Sequence, residues 1–332
     1  MKKDIQIARI TSGTILVYGL AAETHKRSKA QEENEINLRD NKYNGFMSPK
    51  TRSKVRKYLD TWITGVEAER RRRKQGRYFR NGKLTFITLT LSAKQVHEDN
   101  YVKRHMLGRF MIRLQRQYHV RNYFWRAESQ ENGNIHFHIL ADRFIDWQLI
   151  RQEWNGIQAD YGYIDRFEAA YGHRDPNSTD IHGLEKITNV TAYVVKYCCK
   201  VEGYRPIAGR IWGCSDSIRG LVGFEQDCTP QVMNYIRKAQ NDASAKTVVM
   251  EEYTLIFCDN NELLQRYDTD LHARWCRYYE SIYQDLYIKE VITLEKTKIP
   301  KEPMYTATAE RQALSVQLDL FQNKQTLFSQ NW

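Results

Sequence analysis

The sequence contains no C-x-x-C pair. Its six cysteines lie at Cys198, Cys199, Cys214, Cys228, Cys258 and Cys276, so neither a zinc ribbon nor a disulfide framework is indicated. Adjacent Cys198 and Cys199 read as small buried residues of a helix, and a reducing compartment is expected. No apolar run reaches membrane-spanning length. The run from Ile15 to Leu20 is short, and its flanks are wrong for a signal peptide. No G-x-x-x-x-G-K-[ST] occurs, which excludes a P-loop motor. There is no internal repeat and no low-complexity tract. Hydrophobic residues make up only 41% of the 332, so a globular body with polar extensions is expected.

What the chain has in quantity is positive charge. A net charge of +11 points to a polyanionic partner, nucleic acid above all. Aromatic residues at 12% add the means of stacking on bases. The densest patch is Arg70, Arg71, Arg72, Arg73 and Lys74. It reads either as a helix end contacting phosphates or as a solvated face.

Local patterns give an order of elements. Thr14 to Leu20 suits a strand, followed by a polar stretch. Ser48-Pro49 opens a helix, serine as N-cap and proline in the first turn. Val55, Tyr58, Leu59, Trp62, Ile63 and Val66 give that helix an apolar stripe for packing. Leu84 to Leu91 reads as a buried strand, and residues 100–119 as an amphipathic helix. A hairpin follows, then a helix over 145–159, a loop over 160–179, a short strand over 181–187 and a helix over 189–200. Further helices are expected over 229–240 and 271–291, with a strand near Tyr253 to Cys258 between them. The β-α-β-β-α-β order predicts an α+β fold. Its antiparallel sheet would be of ferredoxin or RRM-like type, with flanking helices and helical extensions at both ends.

The hairpin spans Glu128 to His138, E-S-Q-E-N-G-N-I-H-F-H. Asn132-Gly133 suits its turn. Strand alternation points His136 and His138 to one face and Phe137 to the other. If the flanks pair, Glu128 joins the histidines from the partner strand. Two imidazoles and a carboxylate on one face make a half-open site for a divalent ion. The plainer alternative is a pair of surface or core histidines.

Downstream, Tyr193, Lys196, Tyr197 and Lys200 are spaced to share one helix face. A phenol is a poor nucleophile at its ordinary pKa; a nearby cation would lower it and could hold a phosphate. A metal would orient the phosphate for in-line attack, leaving a 5′-phosphotyrosine and a free 3′-hydroxyl. The alternative is a half-exposed helix with tyrosines at its rim.

These motifs in this order resemble the HUH endonuclease superfamily, specifically rolling-circle replication initiators. The first family motif is matched by Phe86-Ile87-Thr88-Leu89-Thr90 and the second by His136-Phe137-His138. Glu128, eight residues before His136, stands where related initiators of single-stranded-DNA viruses carry a carboxylate. The third motif, V-x-x-Y-x-x-K, fits twice, at Val190-Tyr193-Lys196 and Val194-Tyr197-Lys200. This double form is similar to that of microvirus replication proteins, which alternate two tyrosines. The resemblance covers about residues 84–221, Trp212-Gly213 included. It implies that Glu128, His136 and His138 bind Mg²⁺ or Mn²⁺ and that Tyr193 or Tyr197 attacks, without choosing between them. It further implies a nickase and ligase acting on single-stranded origin DNA of a phage or plasmid, in the cytoplasm of a bacterial host that supplies the helicase.

On this reading the chain divides into an N-terminal extension (1–80), the endonuclease domain (81–225), a mostly helical part (226–297) and a tail (298–332). In the tail, Gln317, Leu318, Asp319, Leu320 and Phe321 resemble the bacterial sliding-clamp-binding peptide. Three rival readings remain: a transposase or relaxase with the same chemistry, a non-catalytic nucleic-acid-binding protein with an RRM-like sheet, and a metal hydrolase using water.

Overall fold

A computed structural model describes residues 5–20, 45–72, 83–184, 190–198, 203–251 and 253–287. Two five-stranded antiparallel sheets and several helices make an α+β fold of ferredoxin-like type. Both sheets belong to one unit.

The sheet that matters for function has the order β6-β3-β5-β4-β7. Its strands are β3 (Thr85–Leu89), β4 (Tyr123–Ser129), β5 (Ile135–Ala141), β6 (Thr179–Gly183) and β7 (Trp212–Cys214). The first four are the expected β-α-β-β-α-β unit, and their spatial order follows from its two crossovers. β7 adds an edge beside β4, where Gly213 pairs with Trp125. A Cβ on Gly213 would lie 2.7 Å from Nε1 of that indole, so only glycine lets the strands close.

Helices cover both faces of this sheet. On one face lie Asp99–Tyr101 (α2), a π-helical stretch Val102–Leu107, Gly108–Arg116 (α3) and Trp147–Asp160 (α4). Phe110, Ile150, Trp154 and Ile157 bury there against Phe137 and its neighbours. On the other face lies α6 (Val190–Cys198), backed by the long α1 (Pro49–Arg72). The expected stripe of α1, from Val55 to Val66, is buried throughout. Ser48 caps that helix, accepting from the Thr51 N–H at 3.2 Å.

Two differences from the sequence reading stand out. The stretch 160–179, expected as a loop, contains the short helix α5 (Asp165–Tyr171), closed by Gly172 in the left-handed region at φ 72°. Glycines on either side of so short a helix had disguised it as loop.

The second difference is larger. The outer segments, expected as helical extensions, contribute strands to one further sheet of order β8-β1-β2-β10-β9. β1 (Ile5–Ile10) and β2 (Thr14–Leu20) come from the N-terminal side. β8 (Phe224–Asp227), β9 (Lys246–Val249) and β10 (Tyr253–Phe257) come from the C-terminal side. Ile10, Ile15, Phe224 and Ile256 bury one face against α7 (Pro230–Gln240), α8 (Asn260–Tyr267) and α9 (Thr269–Tyr287). Trp62 of α1 donates to the Tyr287 hydroxyl of α9 at 2.9 Å and links the two parts.

Candidate metal and tyrosine site

The β4–β5 hairpin builds the site. Its turn is closed by the Gln130 N–H donating to the Asn134 carbonyl at 2.8 Å, and Gly133 takes φ +82°, a left-handed conformation suited to glycine. With the turn fixed, Glu128 pairs with His136 and Arg126 with His138. A slip of one residue would send all four to the opposite face.

The three expected ligands converge. Glu128 Oε1 lies 2.8 Å from His136 Nε2 and 3.0 Å from His138 Nε2. One donor atom from each residue falls within 4.8 Å of the others. Glu128 is only 8% exposed and His138 only 4%. Two buried atoms, Glu128 Oε2 and His136 Nδ1, have no hydrogen-bond partner. A buried carboxylate oxygen without a donor is costly, and a cation would satisfy it. The set fits a divalent ion. The carboxylate suits Mg²⁺ or Mn²⁺, and the imidazoles draw preference toward transition metals.

Protonation favours the same conclusion. Burial alone would raise the Glu128 carboxyl, but hydrogen bonds from His136 and His138 pull it well below the usual carboxylate range. Burial pushes the His138 imidazole down, the hydrogen bond and charge of Glu128 oppose this, and the charges of His136 and Arg126 add to the lowering. An anionic carboxylate beside a neutral imidazole is the state in which ligands bind metal.

Two residues that the sequence reading had not assigned support the ligands. Thr88 of β3 sits opposite His138, with its Oγ1 3.2 Å from Nδ1. When Nε2 faces an ion, Nδ1 carries the proton and donates to Thr88, which fixes the ring. Arg126, 3% exposed, donates from Nη1 to the Tyr197 carbonyl at 3.2 Å, and its Nη2 lies 3.9 Å from Glu128 Oε2. It ties α6 to the ligand strand. The signal was present: Arg126 is two residues before Glu128 on a strand and must share its face.

The tyrosine helix lies over the same face, held by buried Val194 and Cys198. The ring centroids of Tyr193 and Tyr197 lie 5.6 and 5.5 Å from that of Phe86. They differ in what else they meet. Tyr197 packs on His138 at 5.4 Å, whereas Tyr193 lies toward the edge strand, 6.3 Å from His182. The two phenols are 5.1 Å apart, centroid to centroid. Exposed Lys196 places Nζ 5.5 Å from the Tyr197 ring. The expected cation-lowered phenol is not found at Tyr193. Burial first, then the charges of Tyr197 and Asp180, raise its pKa.

The remaining expected residues are not all brought here. Arg70 and Arg71 are half-buried at the end of α1, where their charge bears on Glu67. Lys200, the Arg72 side chain, Arg73, Lys74 and the segment from Gln317 to Phe321 lie outside the described residues.

Residues 84–202 match the family model for the Replication-associated protein ORF2. The match supports a Rep-type replication protein. The matched stretch contains β3, the hairpin with its three ligand candidates, and both tyrosines. No curated protein and no solved structure matches the chain. Among the described residues no helix is long and apolar enough to cross a membrane.

Proposed function

We propose that this Rep-type protein initiates rolling-circle replication by nicking and rejoining single-stranded origin DNA through a tyrosine. The observation that carries the reading is the joint placement of Glu128, His136 and His138 with the Tyr197 ring, which lies 5.4 Å from His138. A water-using hydrolase has no need of a phenol at that position.

Glu128, His136 and His138 would hold Mn²⁺ or Mg²⁺, which when bound polarises the scissile phosphate and offsets its charge. Tyr197 is assigned as the first nucleophile because it borders the ligands, and Tyr193 as the second. The Tyr197 Oη forms a bond to phosphorus as the bond to the 3′-oxygen breaks. The phenol gives up its proton to solvent and the departing 3′-oxygen takes one. The products are a 5′-phosphotyrosine and a 3′-hydroxyl, which a polymerase can extend. Attack by that hydroxyl, or by one from a second nick made by Tyr193, reseals the strand. Lys196 supplies positive charge beside the phenol, and Lys200 is assigned the same part. Arg126 positions the helix that carries Tyr197.

Arg70 to Lys74 would add phosphate contacts along the strand. The 317–321 segment would dock in the groove of the host's sliding clamp, and a host helicase would open the duplex. The setting is bacterial cytoplasm.

A denaturing gel of full-length protein with a labelled origin strand and Mn²⁺ tests the reading. A metal-dependent slower band, lost in His136→Ala, is expected. Nicked product with no covalent band would overturn it in favour of hydrolysis.

A further inference from the structure

A pocket of about 710 Å³ opens at the end of the sheet beyond the ligands, within the range of small-molecule sites. Its walls come from three segments far apart in sequence: the stretch after β3, the β4–β5 turn and α5. The turn is the one that sets Glu128 against His136. Asn134, on the wall, is two residues from His136, about 7 Å along a strand. A strand held at the ligands and running off that end of the sheet meets the pocket next.

The lining carries two kinds of group that a nucleotide uses. Lys94 and Arg166 are exposed and make no ion pair or hydrogen bond with the described residues. The acidic residues of α5 do not neutralise them: Asp165 and Glu168 both face Arg174, at 4.0 and 3.3 Å. Tyr171 is 67% exposed, with Phe167 behind it at 4.6 Å between ring centroids. An exposed phenol ring braced from one side is a stacking platform. The opposite wall is already rigid. The Asn134 amide donates to the Ala93 carbonyl and accepts from the Gln95 N–H, both at 2.9 Å. Exposed Asn132 adds an amide at the mouth.

We propose that this pocket takes one nucleotide of the bound single strand, its base on Tyr171 and its phosphate between Lys94 and Arg166. The assignment rests on the nickase reading for the presence of a strand. It adds a contact one step from the scissile phosphate that holds the strand in register.

The test uses full-length protein and a fluorescein-labelled mixed-sequence 20-mer single strand in EDTA, read by anisotropy. Tyr171→Ala is expected to weaken binding about tenfold, as loss of one stacked base does, and Tyr171→Phe to restore it. Lys94→Ala with Arg166→Ala is expected to weaken binding and to flatten its salt dependence. A strand carrying 5-iododeoxyuridine is expected to photocrosslink to the peptide containing residues 165–171. All of these residues are exposed, so melting temperatures are expected to match wild type. Unchanged affinity in Tyr171→Ala, or crosslinks only elsewhere, would overturn the pocket. So would competition by free dTMP as effective as by the strand, which would make it a free-nucleotide site. An Mn²⁺-dependent covalent band from wild type in the same preparations separates the two ideas. If the band forms while Tyr171→Ala binds normally, the pocket alone fails. If wild type binds no strand at all, both fail.

Discussion

Replacing Thr88 by valine keeps the side chain's shape and removes only the hydroxyl beside His138 Nδ1, 3.2 Å away. His138 is 4% exposed, so an Nδ1–H without Thr88 has little water to turn to. Losing a typical hydrogen bond costs about 1 kcal/mol, and leaving the buried donor unsatisfied raises that to about 1–3 kcal/mol. The larger value applies only when Nε2 faces an ion, because only then must Nδ1 carry the proton. The free protein can shift tautomer and escape the cost. Metal affinity therefore falls by about tenfold, in line with the effect of residues that orient metal-bound histidines. Fold stability changes by less than about 1 kcal/mol. Calorimetric titration of full-length protein with Mn²⁺ gives the first quantity and urea unfolding in EDTA the second. Thr88→Ser is expected to restore affinity. If Thr88→Val binds Mn²⁺ like wild type while His138→Ala does not bind it, then Thr88 does not orient the ligand and the reasoning is refuted.

Arg126→Lys cannot both reach the Tyr197 carbonyl and keep its place beside Glu128. It is expected to slow covalent-adduct formation about ten- to hundredfold, the worth of a charged hydrogen bond, with Mn²⁺ affinity changed much less; a fall in affinity alone would contradict its positioning role. Gly213→Ala drives a Cβ to 2.7 Å from the Trp125 indole and is expected to cost about 1–3 kcal/mol in urea unfolding, whereas a change below about 0.5 would show that β7 can move away. Asp60 is buried and its carboxyl is pushed up to about 7 by that burial, against the charges of Arg56 and Arg9. The unfolded chain releases this proton near pH 4, so between about pH 4 and 7 the folded state holds more protons and stability falls as pH rises. Asp60→Asn is expected to flatten that decline and to gain on wild type by a few kcal/mol above pH 7; parallel stability curves for the two proteins from pH 4 to 8 would contradict it.

The features legible in the sequence were local ones. Ser48-Pro49 and the stripe on α1 announced a helix through caps and period. Phe86 to Leu89 and Ile135 to Ala141 announced strands through β-branched and alternating residues. The hairpin alone was enough to place Glu128, His136 and His138 together, because turn and register fix a strand face within a few residues. The second sheet was not legible. β1 pairs with β8, whose Glu225 faces Arg9 and accepts its Nε–H at 2.9 Å across 216 residues, and nothing local in either segment names the other. The choice between the tyrosines was hidden for a related reason. Four-residue spacing puts both on one helix face, and only the way α6 lies across β3 and β5 sets Tyr197 against His138 and Tyr193 toward His182. The nucleotide pocket draws Lys94, Asn132, Arg166 and Tyr171 from three segments, so no single motif could reveal it.

The central claim, that a phenol on α6 attacks DNA at the Glu128–His136–His138 centre, is tested most directly by finding where the DNA is attached. Full-length protein is incubated with a cognate single strand and Mn²⁺, digested with protease and nuclease, and searched by mass spectrometry for a nucleotide-bearing peptide. The account predicts a phosphotyrosine-linked nucleotide on Tyr197, moving to Tyr193 when Tyr197 is phenylalanine and vanishing in the double variant. Cleavage that continues in the double variant, or a nucleotide attached to any other residue, would contradict it.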